Sequence, residues 1–147
     1  MSAPHVSPVI RIACRTMARL IQVFALYVIF HGHYSPGGGF QGGALLAAAV
    51  ILLRIGEGKQ GSQRELSSAS TLAIGSVGAL IFAGVGLLNA LNGGAFLDYS
   101  YTPLPGLSAP DRHYWAILII EIGVALAVMA VLVAIFDRLM DERTSDA

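Results

Sequence analysis

His31-Gly32-His33-Tyr34-Ser35-Pro36-Gly37-Gly38-Gly39-Phe40-Gln41-Gly42-Gly43 lies in the middle of a run, Leu20 to Leu53, that contains no Asp, Glu, Lys or Arg. Pro36 disfavours helix at Ser35, and three successive glycines open backbone conformations closed to other residues. The run therefore reads as two helices joined by a tight turn over Ser35, Pro36, Gly37, Gly38 and Gly39. The second helix starts near Gly39 or Phe40 and carries Gly42 and Gly43 in its first turn. A hydrocarbon core of about 30 Å needs roughly 20 apolar residues at 1.5 Å per residue. The first span is read over residues 9–30; its arginines snorkel toward an interface, because only Leu20 to Phe30 is strongly apolar. The second span, 40–55, reaches only about 24 Å, so part of the turn is expected to dip toward the membrane, where irregular backbone must be buried in protein or line a wet cavity.

Working outward, the stretch between Glu65 and Asp98 is also free of formal charge and holds a third span, 69–91. A fourth, 114–136, begins with Tyr114 and Trp115, the residue types of an interfacial aromatic belt. Helices are preferred to strands because the apolar runs are long and unbroken. The 147 residues are 55% hydrophobic and 12% charged, with 9 basic and 9 acidic side chains and no net charge; a soluble domain carries about a quarter charged residues. An ordinary soluble enzyme, a basic nucleic-acid binder and a disordered tail are excluded. The predicted fold is all-α: an integral membrane bundle of four transmembrane helices in a single domain, 1–147. Cys14 is the sole cysteine, which leaves no disulfide frame, Cys-based metal site or iron-sulfur cluster.

Basic residues set the orientation. Arg11, Arg15, Arg19, Arg54, Lys59, Arg64, Arg138 and Arg143 fall on one side and Arg112 alone on the other, so both termini are expected in the cytoplasm. The basic start before an apolar run resembles a signal peptide, but no small-x-small cleavage site follows Phe30. The outer segment, 92–112, carries Tyr99, Tyr101, Pro103, Pro105 and Pro110; a docking segment and a loose interfacial loop both fit that composition.

The glycine turn is no phosphate loop, since it lacks lysine and the GK[ST] ending. His31 and His33 alone fall short of a normal metal ligand set. Two readings stay open: imidazoles facing water or handling protons, and a packed turn whose glycines admit another subunit. Glu121 is the only formal charge in the interior of any of the four spans, about 10 Å below Tyr114. An intramembrane carboxylate must be protonated, paired or hydrated, and marks a site for proton or cation handling or a structural hydrogen bond. Opposite it, Ala116, Gly123, Ala127, Ala130 and Ala134 make a close-packing seam; Thr71, Gly75, Ala79 and Ala83 suggest another on the third span. Arg11, Arg15 and Arg19, followed by Gln22, form a stripe suited to snorkelling, acidic lipid headgroups or an acidic partner subunit.

One interior carboxylate and two histidines near one end are too few for an independent ion relay. The chain reads as a component. With arginines before the first span and an acidic residue early in the last, the run HGHYSPGGGFQGG resembles the B subunit of the multisubunit sodium/proton antiporters, the Mrp or Mnh family, over nearly the whole chain; Tyr34 stands where that motif carries asparagine. The resemblance implies a non-enzymatic transporter subunit in the cell membrane, assembled with large antiporter-like subunits and other small ones. The complex exchanges Na+ or another monovalent cation for H+, and no cofactor, metal or nucleic acid is expected. Glu121, His31 and His33 are the candidates for the ion or proton path. The alternative is a purely structural scaffold of an antiporter-like or membrane-bound hydrogenase-type complex.

Overall fold

The computed structural model describes residues 7–32, 37–57 and 66–145. Among them stand four helices, α1 (Pro8–His31), α2 (Gly38–Glu57), α3 (Ser68–Leu91) and α4 (Ala109–Ser145), with a 3-10 turn at Tyr99–Tyr101. All four are long and apolar enough to cross a membrane. Their outward faces carry large apolar side chains such as Val9, Leu80 and Leu91, which call for hydrocarbon or another membrane protein around them.

Two helices differ from their sequence reading. α2 has 20 residues rather than about 16, because Gly37 takes the left-handed conformation at φ 102° and Gly38 and Gly39 already belong to the helix. At that length α2 spans about 30 Å, so its length no longer requires the turn to dip. His33, Ser35 and Pro36 lie outside the described residues. α4 begins at Ala109 rather than Tyr114: Pro110 sits in the first turn, where its missing N–H costs nothing, and Ser108 caps the helix. Ser108 Oγ accepts from the Asp111 amide at 3.4 Å and donates to the Asp111 carboxylate at 2.5 Å. The outer segment shrinks accordingly to 92–108. Running on to Ser145, α4 is about 55 Å long and projects beyond the hydrocarbon.

The principal packing runs α1–α2–α4–α3. α2 and α4 are parallel and in step: Gly39 meets Glu121, Gly43 meets Ala125, and Arg54 meets Asp137. α1 runs antiparallel to α2, with Gly32 at Gly38, Ile29 at Gly42 and Cys14 at Gly56. α3 runs antiparallel to α4, with Gly75 at Ala130 and Gly78 at Gly123 and Ala127. The chain is thus two antiparallel hairpins joined through their second helices. The row is cupped, because Gln22, Leu53, Ile74 and Leu126, one from each helix, line a single cavity of about 360 Å³.

Small residues set the interhelical distances, as expected where close van der Waals contact replaces the hydrophobic drive. Ala47, Val50, Met129 and Val133 form the α2–α4 core; Ala18, Ala49 and Leu53 form the α1–α2 core. The seam on α3 needs correction. Thr71, Gly78, Gly86 and Asn89 are buried, while Ala79 and Ala83 are exposed. A strict four-residue step gains 40° per repeat on a 3.6-residue helix, so two repeats beyond Gly75 leave the contact face.

Candidate functional site

Glu121 is the half-buried carboxylate of the α2–α4 contact, and the glycines of the turn make the space it occupies. A Cβ on Gly32 would overlap Glu121 Oε2 and the Gly38 α-carbon. One on Gly38 would overlap the Gly32 α-carbon and stand 3.1 Å from both carboxylate oxygens. At Gly39 it would lie 2.6 Å from the Glu121 carbonyl oxygen and 2.9 Å from its α-carbon. Gly32 and Gly38 therefore accommodate the side chain, and Gly39 accommodates the backbone behind it. Since Gly38 opens α2, the carboxylate sits at the positive end of that helix, a position that favours an anionic group.

Gly42 and Gly43 continue the motif on two faces. A Cβ at Gly42 would run into Ile29 of α1; one at Gly43 would stand 2.6 Å from the Ala125 carbonyl oxygen of α4. These close approaches lie within the chain. Phe40, by contrast, is exposed and borders a shallow apolar groove with Ala127, Val128, Val131 and Leu132 of α4.

The 3-10 turn closes the same end. Arg112 Nη1 donates to the Ser100 carbonyl at 3.0 Å, Ser100 Oγ lies 3.4 Å from His113 Nε2, and His113 Nδ1 donates to the Ala109 carbonyl at 3.0 Å. Tyr99 meets the His113 ring edge-on, with centroids 6.4 Å apart. Burial pushes the Tyr99 phenol above its ordinary pKa, and the nearby Glu121 charge adds to the rise. The loop is thus tied down over the Glu121 end of α4.

His31, the last residue of α1, is exposed; its Nδ1 donates to the Tyr27 carbonyl at 3.0 Å and its ring stacks on Tyr27 at 4.2 Å. Its contacts with Tyr27 keep the ring against its own helix, although the next residue, Gly32, touches Glu121. Of the arginine stripe, Arg15 forms an ion pair with Glu57 of α2, and Arg11 and Arg19 are exposed.

Sequence reasoning misses a second charged site. Arg54 Nε lies 3.0 Å from Asp137 Oδ1, and Arg54 Nη2 donates to the Leu66 carbonyl at 3.3 Å. The charge pattern puts Arg54 in a link outside the membrane, yet α2 continues past it to Glu57 and α4 continues past Asp137. Glu121 is therefore not the single charge within the helices. Every residue of α2 from Gly43 to Leu53, and of α4 from Ile122 to Phe136, is apolar, so the two charged ends are separated by hydrocarbon alone.

Residues 9–134 match the family described as a domain related to the MnhB subunit of Na+/H+ antiporters. The chain is 32% identical over 132 residues to a Staphylococcus haemolyticus protein described as antiporter subunit mnhB2, covering 86% of this chain and 89% of that one. It is 30% identical to the Na+/H+ antiporter B subunit of Alkalihalophilus pseudofirmus, covering 78% and 84% of the two chains. To the corresponding Na+/H+ antiporter protein of Bacillus subtilis it is 25% identical, covering 91% and 93%.

Proposed function

Because the chain belongs to the family of domains related to the MnhB subunit of Na+/H+ antiporters, we propose that it is a small subunit of a multisubunit monovalent cation/proton antiporter. In this reading it is a multi-pass protein of the cell membrane with both termini cytoplasmic, bound to large antiporter-like subunits and to other small ones. Na+ or another monovalent cation and H+ are the cargo of the whole complex.

One observation carries the assignment of a site: the Glu121 carboxylate seated between Gly32 and Gly38 at the start of α2. The helix end favours its charge while partial burial opposes it. A carboxylate balanced in this way takes up or releases a proton, or meets a monovalent cation, when its surroundings change. The apolar stretch below it gives no onward route along α2 or α4, so the path continues in a neighbouring subunit, and Glu121 stands at that boundary. His31 and His33, which precede the glycine turn in the sequence, are the further candidates for the path. Arg11 and Arg19 face acidic headgroups or an acidic partner.

The same unbroken apolar stretch favours a second reading, a scaffold that fixes its neighbours and touches no ion. The two are separated by cation-dependent dissipation of a proton gradient in everted vesicles holding the assembled complex. Glu121→Gln is expected to abolish most exchange with assembly intact. Exchange and assembly both unchanged would refute the role of Glu121; loss of exchange only through lost assembly would establish the scaffold.

A further inference from the structure

Toward the Arg54 end, α3 and α4 border a cleft with two chemically distinct parts. The apolar part, about 500 Å³, is lined by Leu72, Gly75, Ser76, Ala130, Ala134 and Ile135. The other part, about 250 Å³, is polar and is lined by Ser68, Thr71, Asp137, Arg138 and Asp141. Leu72, Ala134 and Arg138 border both parts, so they form one continuous cleft, apolar along its length and charged at the mouth near Asp137.

We propose that this cleft holds one phospholipid whose headgroup carries both a phosphate and a primary ammonium. The apolar walls suit an acyl chain: Gly75, Ala130 and Ala134 leave room, and Ser76 Oγ donates to the Leu72 carbonyl at 2.9 Å, so its hydroxyl is satisfied on its own helix. At the mouth, Thr71 Oγ1 donates to the Ser67 carbonyl at 3.0 Å and Asp137 is held by Arg54. The exposed Arg138 and Asp141 face outward from the mouth, one cation and one anion. A phosphate suits Arg138 and an ammonium suits Asp141, so a headgroup that carries both charges matches both side chains. This inference stands apart from the role of Glu121.

The test uses the full chain co-expressed with its partner subunits and reconstituted in vesicles. Trace phosphatidylethanolamine or phosphatidylglycerol carries a photoreactive group on the acyl chain, and labelled peptides are read by mass spectrometry. The ethanolamine probe is expected to label residues 72–76 and 130–139 more than the glycerol probe. Arg138→Gln should reduce that labelling about fivefold, Asp141→Asn should erase the preference between probes, and Ala134→Phe should remove labelling by filling the groove. Arg138 and Asp141 are exposed, so their variants read headgroup binding without disturbing the core. Equal labelling by both probes in the unaltered chain, labelling indifferent to Arg138→Gln, or a disulfide from Ser76→Cys, in a Cys14→Ser background, to another member of the complex would each overturn the proposal.

Discussion

Arg54 and Asp137 form an ion pair, Nε to Oδ1 at 3.0 Å with side-chain exposures of 1% and 8%, at the opposite end of the α2–α4 contact from Glu121. Breaking a buried pair by removing one partner strands a charge and typically costs about 3–5 kcal/mol, whereas replacing both with apolar residues of similar size is often neutral or better. Asp137→Asn and Arg54→Met should each lower the thermal stability of the detergent-solubilised chain by an amount of that order. Arg54→Met combined with Asp137→Leu should restore most of it. Double-mutant stability as low as the single mutants' would show that the pair does more than neutralise itself.

The glycine turn predicts a sharp contrast between two glycines. Gly38→Ala or Gly38→Leu drives a side chain into the Gly32 backbone and the Glu121 carboxylate, so α1, α2 and α4 cannot close and copurification of the other subunits should fall. Gly84→Ala meets no atom within 4 Å and improves helix propensity by up to about 1 kcal/mol. Pull-down yield of the two variants from mild detergent decides the matter.

Tyr99 provides a pH signature. Its raised pKa keeps the phenol neutral where an undocked tyrosine, with a pKa near 10, begins to ionise. Docking of the loop is therefore unaffected below pH 10 and weakens as pH climbs above it. Ultraviolet titration should assign the late tyrosinate component to Tyr99 by its loss in Tyr99→Phe. Because burial is the larger cause and Glu121 the smaller, Glu121→Gln should move that component down but leave it above ordinary tyrosine.

On the other hairpin, Gly78→Val should destabilise and Ala79→Val should not. A Cβ at Gly78 would stand 2.5 Å from the Gly123 carbonyl oxygen and 2.7 Å from the Ala127 amide nitrogen, both backbone atoms that cannot swing aside. Overpacking of this kind costs about 1–3 kcal/mol. Ala79 is exposed, where substitutions stay within about 0.5 kcal/mol. Equal melting temperatures for the two variants would contradict the α3–α4 register.

What the residues reveal on their own differs from element to element. Spans bounded by formal charges stand out because a charge is costly in hydrocarbon, which is why the long gaps before Arg54 and Asp98 mark helices plainly. The start of α4 is harder to read, because Pro110 looks like a loop residue until Ser108 and Asp111 are recognised as a cap. Glu121 and the glycine turn are each visible as anomalies, but their contact spans some eighty residues of sequence, and only the parallel α2–α4 register brings them together. Arg54 and Asp137 are hidden for the same reason: each lies where an apolar run ends and looks like a boundary marker until its partner is seen.

Glu121 and Asp137 lie sixteen residues apart on α4, about 24 Å of helix with only apolar side chains between them, and Val133 is fully enclosed. Carrying one elementary charge through the full membrane voltage costs about 2.3 kcal/mol per 100 mV, and this stretch of α2 and α4 offers it no polar foothold. The α2–α4 seam therefore insulates one charged end from the other, and a polar residue introduced at Ala47 or Val133 would be sealed away from water and felt first as lost stability.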